Sequence, residues 1–83
     1  MQLTVKKARK YLKMVQRYKE IDEQLSGLYL QFNKNKEKIS KFQKEHLLLI
    51  DDMVEMEREY PGTRLQFKKA CELVIETNHE MII

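Results

Sequence analysis

The sequence has few residues that interrupt helices or that build covalent cross-links. Its 83 residues include one proline, two glycines, one cysteine and no tryptophan. So little turn-forming material favours a few long elements, and the abundance of Leu, Lys, Glu, Gln and Met indicates helices rather than sheet. We therefore expect a single all-α domain over residues 1–83.

The lone cysteine and the short apolar runs exclude several classes of protein. Cys71 can form no intrachain disulfide and supports no zinc site built on thiolates, and its apolar surroundings predict a small buried side chain. The longest apolar run, Leu47–Ile50, is far shorter than the ~20 residues of a membrane span. No apolar segment of a secretory signal follows the basic N-terminus. We expect a cytoplasmic protein that does not associate with membranes.

A heptad pattern runs from Tyr11 to Tyr60. With Tyr11 at position a, only Asn35 and His46 are polar among fifteen a and d positions. Such a stripe is typical of an amphipathic helix of the coiled-coil type. His46 is then expected to be a packed or hydrogen-bonded core histidine rather than a catalytic one.

Local signals divide the pattern into helices. Thr4 can cap the first helix, and the asparagine-rich Asn33–Asn35 stretch tolerates a turn. Pro61 ends the second helix, and Thr63 with Gln66 fits a capping box that opens a third. These signals predict helices over about 4–32, 36–60 and 64–81.

The distribution of charge predicts how the first two helices pair. Residues 6–19 hold seven basic side chains and no acid, whereas residues 45–59 hold six acids and one arginine. A parallel dimer would place each block beside its own kind, but an antiparallel hairpin places the two blocks side by side. The hairpin predicts the surface pairs Lys10–Glu59 and Arg17–Asp52.

A second apolar face decides where the third helix docks. Ala8, Val15 and Ile50 occupy e positions at the open end of the hairpin, with Leu47 and Val54 at neighbouring b positions. We expect the third helix to pack there, giving a three-helix bundle with a bare two-helix extension. A domain-swapped or coiled-coil dimer that keeps the same contacts between chains is the open alternative.

The sequence contains no recognisable catalytic set. It has no glycine-rich phosphate loop and no Ser-His-Asp arrangement, and the acids of residues 51–59 fit a solvated helix face. We therefore expect no catalytic, cofactor-binding or metal-binding residues and no cofactor, so the protein is not expected to be an enzyme.

The surplus of apolar residues favours a protein–protein interaction module, an adaptor, inhibitor or regulator, with a second copy of the chain among its candidate partners. Leu30, Leu48 and Leu73 fall at outward positions, and methionines are adaptable contact residues. The candidate partner-binding residues are Leu30, Leu48, Met53, Met56, Leu73 and Met81.

A lysine-rich segment at the expected tip of the hairpin supports an alternative function, nucleic-acid binding. Between residues 34 and 44 only Glu37 offsets five lysines, which leaves a local charge of +4 and could bind phosphates with a steep salt dependence. The candidate phosphate-binding residues are Lys34, Lys36, Lys38, Lys41 and Lys44. A membrane-surface function is less favoured because the helices at the tip lack an outward apolar face.

Overall fold

Two long helices fold back on each other, and a shorter third helix packs on them. The computed structural model describes residues 2–82 and measures 48 × 22 × 19 Å. The predicted all-α hairpin with a shorter third helix is confirmed. The elements are β1 (Gln2–Leu3), α1 (Val5–Leu28), a 3-10 turn (Tyr29–Gln31), α2 (Phe32–Glu57), α3 (Arg64–Thr77) and β2 (Met81–Ile82).

Both predicted N-caps are present. The Thr4 hydroxyl accepts a hydrogen bond from the Lys7 amide at 3.1 Å. At the start of α3, the Thr63 hydroxyl accepts from the Gln66 amide at 3.2 Å, and the Gln66 side chain accepts from the Thr63 amide at 2.9 Å. These reciprocal bonds satisfy amides that have no partner within the helix, so sequence fixes where both helices begin.

The chain reverses direction between two departures from helical geometry. The first is at Gln31, at the end of the 3-10 turn, with φ −131° and ψ 60°, and the second falls within the predicted Asn33–Asn35 break. Asn35 lies in the first turns of α2 with a non-helical φ of −112° and ψ of 15°. Its Nδ2 donates to the Leu28 carbonyl at the end of α1, 3.3 Å away. Asn35 therefore holds the turn closed from the α2 side.

The core consists of two clusters along the hairpin. At the open end, where the chain ends meet, α3 completes a cluster with α1 and α2. Nearer the turn, in the two-helix part that we call the arm (residues 19–48), Ile21, Leu25 and Ile39 form a smaller cluster. Leu49 packs against both clusters and joins them. The buried residues of the open-end cluster are Leu3, Ala8, Tyr11, Met14, Met53, Phe67, Ala70, Cys71 and Val74.

The third helix is shorter than predicted. It ends at Thr77 rather than about Met81, because Asn78 adopts the left-handed conformation with φ 55° and terminates the helix. The following residues form β2, which pairs antiparallel with β1, Leu3 opposite Met81. Leu3 is buried there. The sequence analysis did not predict this pairing.

The basic and acidic blocks lie side by side, but with different partners from those predicted. Lys7 and Lys10 of α1 face Asp52 of α2, and Glu59 just after it, across a shallow cleft. Among residues 2–82, neither Lys10–Glu59 nor Arg17–Asp52 is a salt bridge within 4.0 Å; Arg17 instead pairs with Glu45. The hairpin orientation is therefore right, and the individual surface pairs were wrong.

Candidate interaction surfaces

The six candidate partner-binding residues occupy different environments. Leu30, Leu48 and Leu73 are exposed, as their outward register positions predict. Met56 and Met81 are half-buried against the open-end cluster. Met53 is buried within that cluster and contributes nothing to an outer surface. These residues therefore form no continuous patch.

A groove in the arm continues the side of the hairpin that α3 covers. Ala8 and Val15, at e positions of the open end, belong to the cluster that α3 completes. Tyr29 and Gln43, at e positions of the arm, instead line an open groove. With 14 residues α3 is about 21 Å long and leaves this part of the hairpin uncovered. The groove is lined by Asp22, Leu25, Ser26, Tyr29, Gln43, His46 and Leu47.

Leu47 is an apolar residue of this groove that the sequence pattern assigned to the wrong surface. The sequence analysis placed it on the face that the third helix covers. In the structure it is 62% exposed and does not pack against the open-end cluster. The third helix packs mainly against α1 and not along both helices of the hairpin, and the apolar pattern alone does not distinguish these two placements.

Polar contacts across the two helices hold the groove open at a fixed width. The Gln43 amide donates to the Tyr29 hydroxyl at 2.8 Å. The His46 ring stacks on Tyr18 with centroids 4.1 Å apart, and its Nε2 lies 3.4 Å from an Asp22 carboxylate oxygen. These contacts tie α2 to α1 at several levels, so the groove exists before any partner binds.

An ion pair further fixes the two helices. The Arg17 guanidinium donates to both Glu45 carboxylate oxygens, at 2.7 and 2.9 Å. The hydrogen bonds from Arg17 lower the pKa of Glu45 below its usual range, and the Glu45 carboxylate raises the pKa of Arg17. Such a two-pronged contact sets the register between helices more than it stabilises them, since both groups meet solvent.

The five lysines of the predicted tip are exposed and unpaired. Lys34, Lys36 and Lys38 line a shallow depression at the tip, together with Glu37 and the neighbouring asparagines. In the part of the chain that the structure describes, none of the tip lysines lies within 4.0 Å of a carboxylate. Their charge is therefore not neutralised by α1.

Large apolar side chains project from the same tip. Leu30 is 86% exposed, and Phe32 and Tyr29 are 50% and 46% exposed. The sequence analysis disfavoured a membrane surface because it expected no outward apolar face at the tip. That reason does not hold at the turn itself, where the 3-10 geometry turns three such side chains towards solvent.

The side chains of Cys71 and His79 have environments that favour structural roles. Cys71 is fully buried, and burial raises the pKa of its thiol to about 11. His79 follows α3 instead of lying on it and is exposed. Within residues 2–82 no three His, Cys, Asp or Glu side chains are placed to share a metal ion. No described helix combines the length and the hydropathy that a bilayer crossing requires.

Comparisons with protein-family models, with curated proteins and with solved structures find no match for this chain. Its function must therefore be inferred from the surfaces described above.

Proposed function

We propose that the protein is a small non-enzymatic interaction module, an adaptor, inhibitor or regulator, whose arm groove binds an amphipathic helix of a partner protein. The observation that supports this is the uncovered side of the arm. The side that α3 occupies at the open end continues along the arm without a cover, and leaves Leu47 62% exposed beside Leu25 and Tyr29.

The third helix provides an internal example of the proposed binding. At the open end, α3 lays Phe67 and Val74 onto the hairpin and buries both of them. A partner helix in the arm groove would repeat this arrangement, with apolar residues three or four positions apart facing Leu25, Tyr29 and Leu47. Burying the exposed 62% of Leu47 would contribute roughly 1–2 kcal/mol, and the ring of Tyr29 offers a rigid contact.

The polar rim defines what kind of helix fits. Asp22, Ser26 and Gln43 border the apolar floor of the groove and present hydrogen-bonding groups to the flanks of a bound helix. The partner is therefore an amphipathic helix with a narrow apolar stripe and polar flanks. A second copy of this chain is one such partner, and it would make the protein a homodimer.

The neighbouring leucine gives a matched control for the test. Leu48 is 66% exposed, but it is rotated about 100° around α2 relative to Leu47 and does not line the groove. A photo-crosslinking residue at position 47 should capture a partner in cells that produce the protein, whereas the same residue at position 48 should not. The mass of the purified protein in solution shows whether that partner is a second copy.

The same pair of positions measures the contribution of the groove. Once the partner is identified, Leu47→Asp should weaken its binding at least about tenfold, because the substitution removes an apolar contact and buries a charge. Leu48→Asp should leave the affinity unchanged. Capture from neither position by a strictly monomeric protein, or equal capture from both, would contradict the proposal.

Nucleic-acid binding by the tip lysines is the weaker alternative. The five unpaired lysines would support it, but residues 29–44 contain no arginine, the side chain that most often makes specific contacts with bases. Beside the lysines the tip exposes 86% of Leu30, an aliphatic side chain that base stacking does not use.

A further inference from the structure

The turn of the hairpin combines apolar exposure and positive charge at one convex end of the molecule. We propose that this end binds an anionic membrane surface, with Leu30 and Phe32 entering the lipid headgroup region and the tip lysines contacting acidic headgroups. This inference rests on Leu30, Phe32 and the tip lysines, none of which lines the arm groove, whereas Tyr29 borders both surfaces. The proposed contact is adsorption onto the bilayer surface, in which the chain does not cross the bilayer.

The apolar part of the tip suits a bilayer surface. The turn Tyr29–Gln31 places Leu30 at the end of the rod, 86% exposed, with Phe32 and Tyr29 beside it. A protruding apolar side chain is buried on all sides only by a partner that surrounds it. The boundary between lipid headgroups and acyl chains is such a partner. Aromatic rings, particularly those with a polar end such as Tyr29, are enriched at that depth.

The lysines are placed to contact headgroups when Leu30 enters the bilayer. Lys34, Lys36 and Lys38 lie within about 9 Å of Phe32 along the axis of α2. Lys41 and Lys44 follow within about 18 Å. All five are exposed, and only Glu37 opposes them between residues 32 and 44. Each lysine close to an anionic surface should strengthen binding about fivefold.

Two other partners fit the tip less well. Single-stranded nucleic acid binds to positive surfaces through bases that stack on aromatic rings. It therefore explains Phe32 and Tyr29, but it leaves Leu30 without a partner. A second copy docking tip to tip would bring two sets of five lysines together, and their repulsion opposes such a contact. A bilayer with acidic lipids accounts for both the leucine and the lysines.

Sedimentation with lipid vesicles tests the proposal on the full-length chain. The protein should bind vesicles of phosphatidylcholine mixed with phosphatidylserine, and should bind phosphatidylcholine alone at least about a hundredfold more weakly, the effect of three lysines at about fivefold each. Leu30→Ser should lower binding to the mixed vesicles several-fold. The combined variant Lys34→Gln, Lys36→Gln and Lys38→Gln should lower it about a hundredfold.

Matched variants at other positions separate the tip from general effects of charge and hydrophobicity. Leu48→Ser removes a leucine of similar exposure from the middle of α2. Replacing Lys6, Lys13 and Lys19 with Gln removes the same charge from exposed positions of α1 outside the tip. Both variants should bind the mixed vesicles within about twofold of the parent protein. Circular dichroism verifies that all variants keep the helices.

The absence of tryptophan from the sequence permits a direct measurement of depth. In Leu30→Trp, the single indole should shift its emission to the blue on mixed vesicles and be quenched by brominated acyl chains. The Leu48→Trp variant should show neither change. These signals depend on contact of the tip with lipid and not on folding alone.

Several results would overturn the proposal. They are no binding to mixed vesicles, equal binding to both lipid compositions, or binding that Leu30→Ser and Leu48→Ser lower equally. Titration of a fluorescent single-stranded RNA at low and moderate salt examines the competing partner. RNA binding that the three-lysine tip variant abolishes, without vesicle binding, would assign the tip to nucleic acid instead.

Discussion

Tyr11 has an environment that suits its ring but not its hydroxyl group. The side chain is fully buried and packs edge-on against Phe67 with ring centroids 4.5 Å apart. Its hydroxyl has no hydrogen-bond partner within the described chain. Burial, with a smaller contribution from the charge of Glu57, raises the pKa of Tyr11 to about 12. The aromatic contact stabilises the open-end cluster, and the hydroxyl opposes it.

Replacing Tyr11 with phenylalanine should stabilise the protein. Removing an unpaired buried hydroxyl while keeping the ring should raise the free energy of unfolding by about 1 kcal/mol. The gain should increase with pH. Because folding raises the pKa of Tyr11 from 10.0 to about 12, the unfolded state deprotonates first, and the parent protein loses stability across this range by up to about 1.4 kcal/mol per pH unit.

Urea unfolding followed by circular dichroism at neutral and alkaline pH measures both effects. Tyr60→Phe is the matched control, since Tyr60 also contacts Phe67, at 5.2 Å, but is only half-buried. Its stability should change by less than about 0.5 kcal/mol. A loss of stability in the Tyr11 variant would mean that the hydroxyl has a partner in solution.

At the level of elements, charge sign and heptad register predict the hairpin well. The buried residues of the first two helices, apart from Ala8 at an e position, lie at a and d positions, as Tyr11, Ile21 and Ile39 do. The register also explains an error. Met53 is an a residue and therefore a core residue, although the sequence analysis assigned it to a docking surface.

Element boundaries that depend on tertiary contacts could not be predicted. The asparagines predict the break near Asn35, but Tyr29–Gln31 contains no glycine, proline or asparagine to predict the earlier departure at Gln31. The third helix ends at Thr77, shortly before β2, which pairs with β1. A strand pair of this length forms only where the fold brings its two segments together.

The two glycines should respond oppositely to substitution. At Gly27, on the exposed side of α1, an added Cβ would meet no atom within 4 Å. Gly27→Ala should therefore raise the free energy of unfolding by roughly 0.5–1 kcal/mol through helix propensity. At Gly62 the Cβ would lie 2.6 Å from the Gln66 side-chain oxygen, which belongs to the capping box of α3.

Gly62→Ala should accordingly lower the stability, because Gln66 must move away from the Thr63 amide. Thermal unfolding of both variants, recorded by circular dichroism, checks the pair. Destabilisation by Gly27→Ala would show that position 27 needs a conformation or a close approach that the helix in the structure does not contain.

At the scale of the whole molecule, the arm determines both the topology and the candidate surfaces. The charge of the tip and the outward position of Leu30 could be read from the sequence. The arm groove could not, because the heptad register assigns Leu47 to a side and does not say how far α3 reaches along it. The heptad register also did not predict the exposure of Phe32, which is an a residue. The apolar pattern continues through the turn, although the helix does not.

The turn contacts of Asn35 should control the choice between a hairpin and a domain-swapped dimer. Asn35 is non-helical and bonds across the turn to Leu28. Asn35→Leu removes this bond and places an apolar residue at a d position, which favours a continuous helix and hence pairing between chains. We expect a larger dimer fraction in size-exclusion chromatography with light scattering.

Asn33→Leu serves as the control, since Asn33 is exposed and lies at an outward b position. It should leave the dimer fraction unchanged. An equal increase in both variants would assign the effect to added hydrophobicity, and no increase in either would show that Asn35 does not govern the swap.

The pairing of β1 with β2 has a mechanical consequence. Leu3 lies opposite Met81, and the Gln2 amide reaches Glu80 at 2.9 Å, so Gln2 and Ile82 lie at the same corner of the molecule. Tension applied between the two ends would open this strand pair and then peel α3 from α1. The arm lies outside that load path. Under such tension, the tip would therefore keep its structure until α3 has separated from α1.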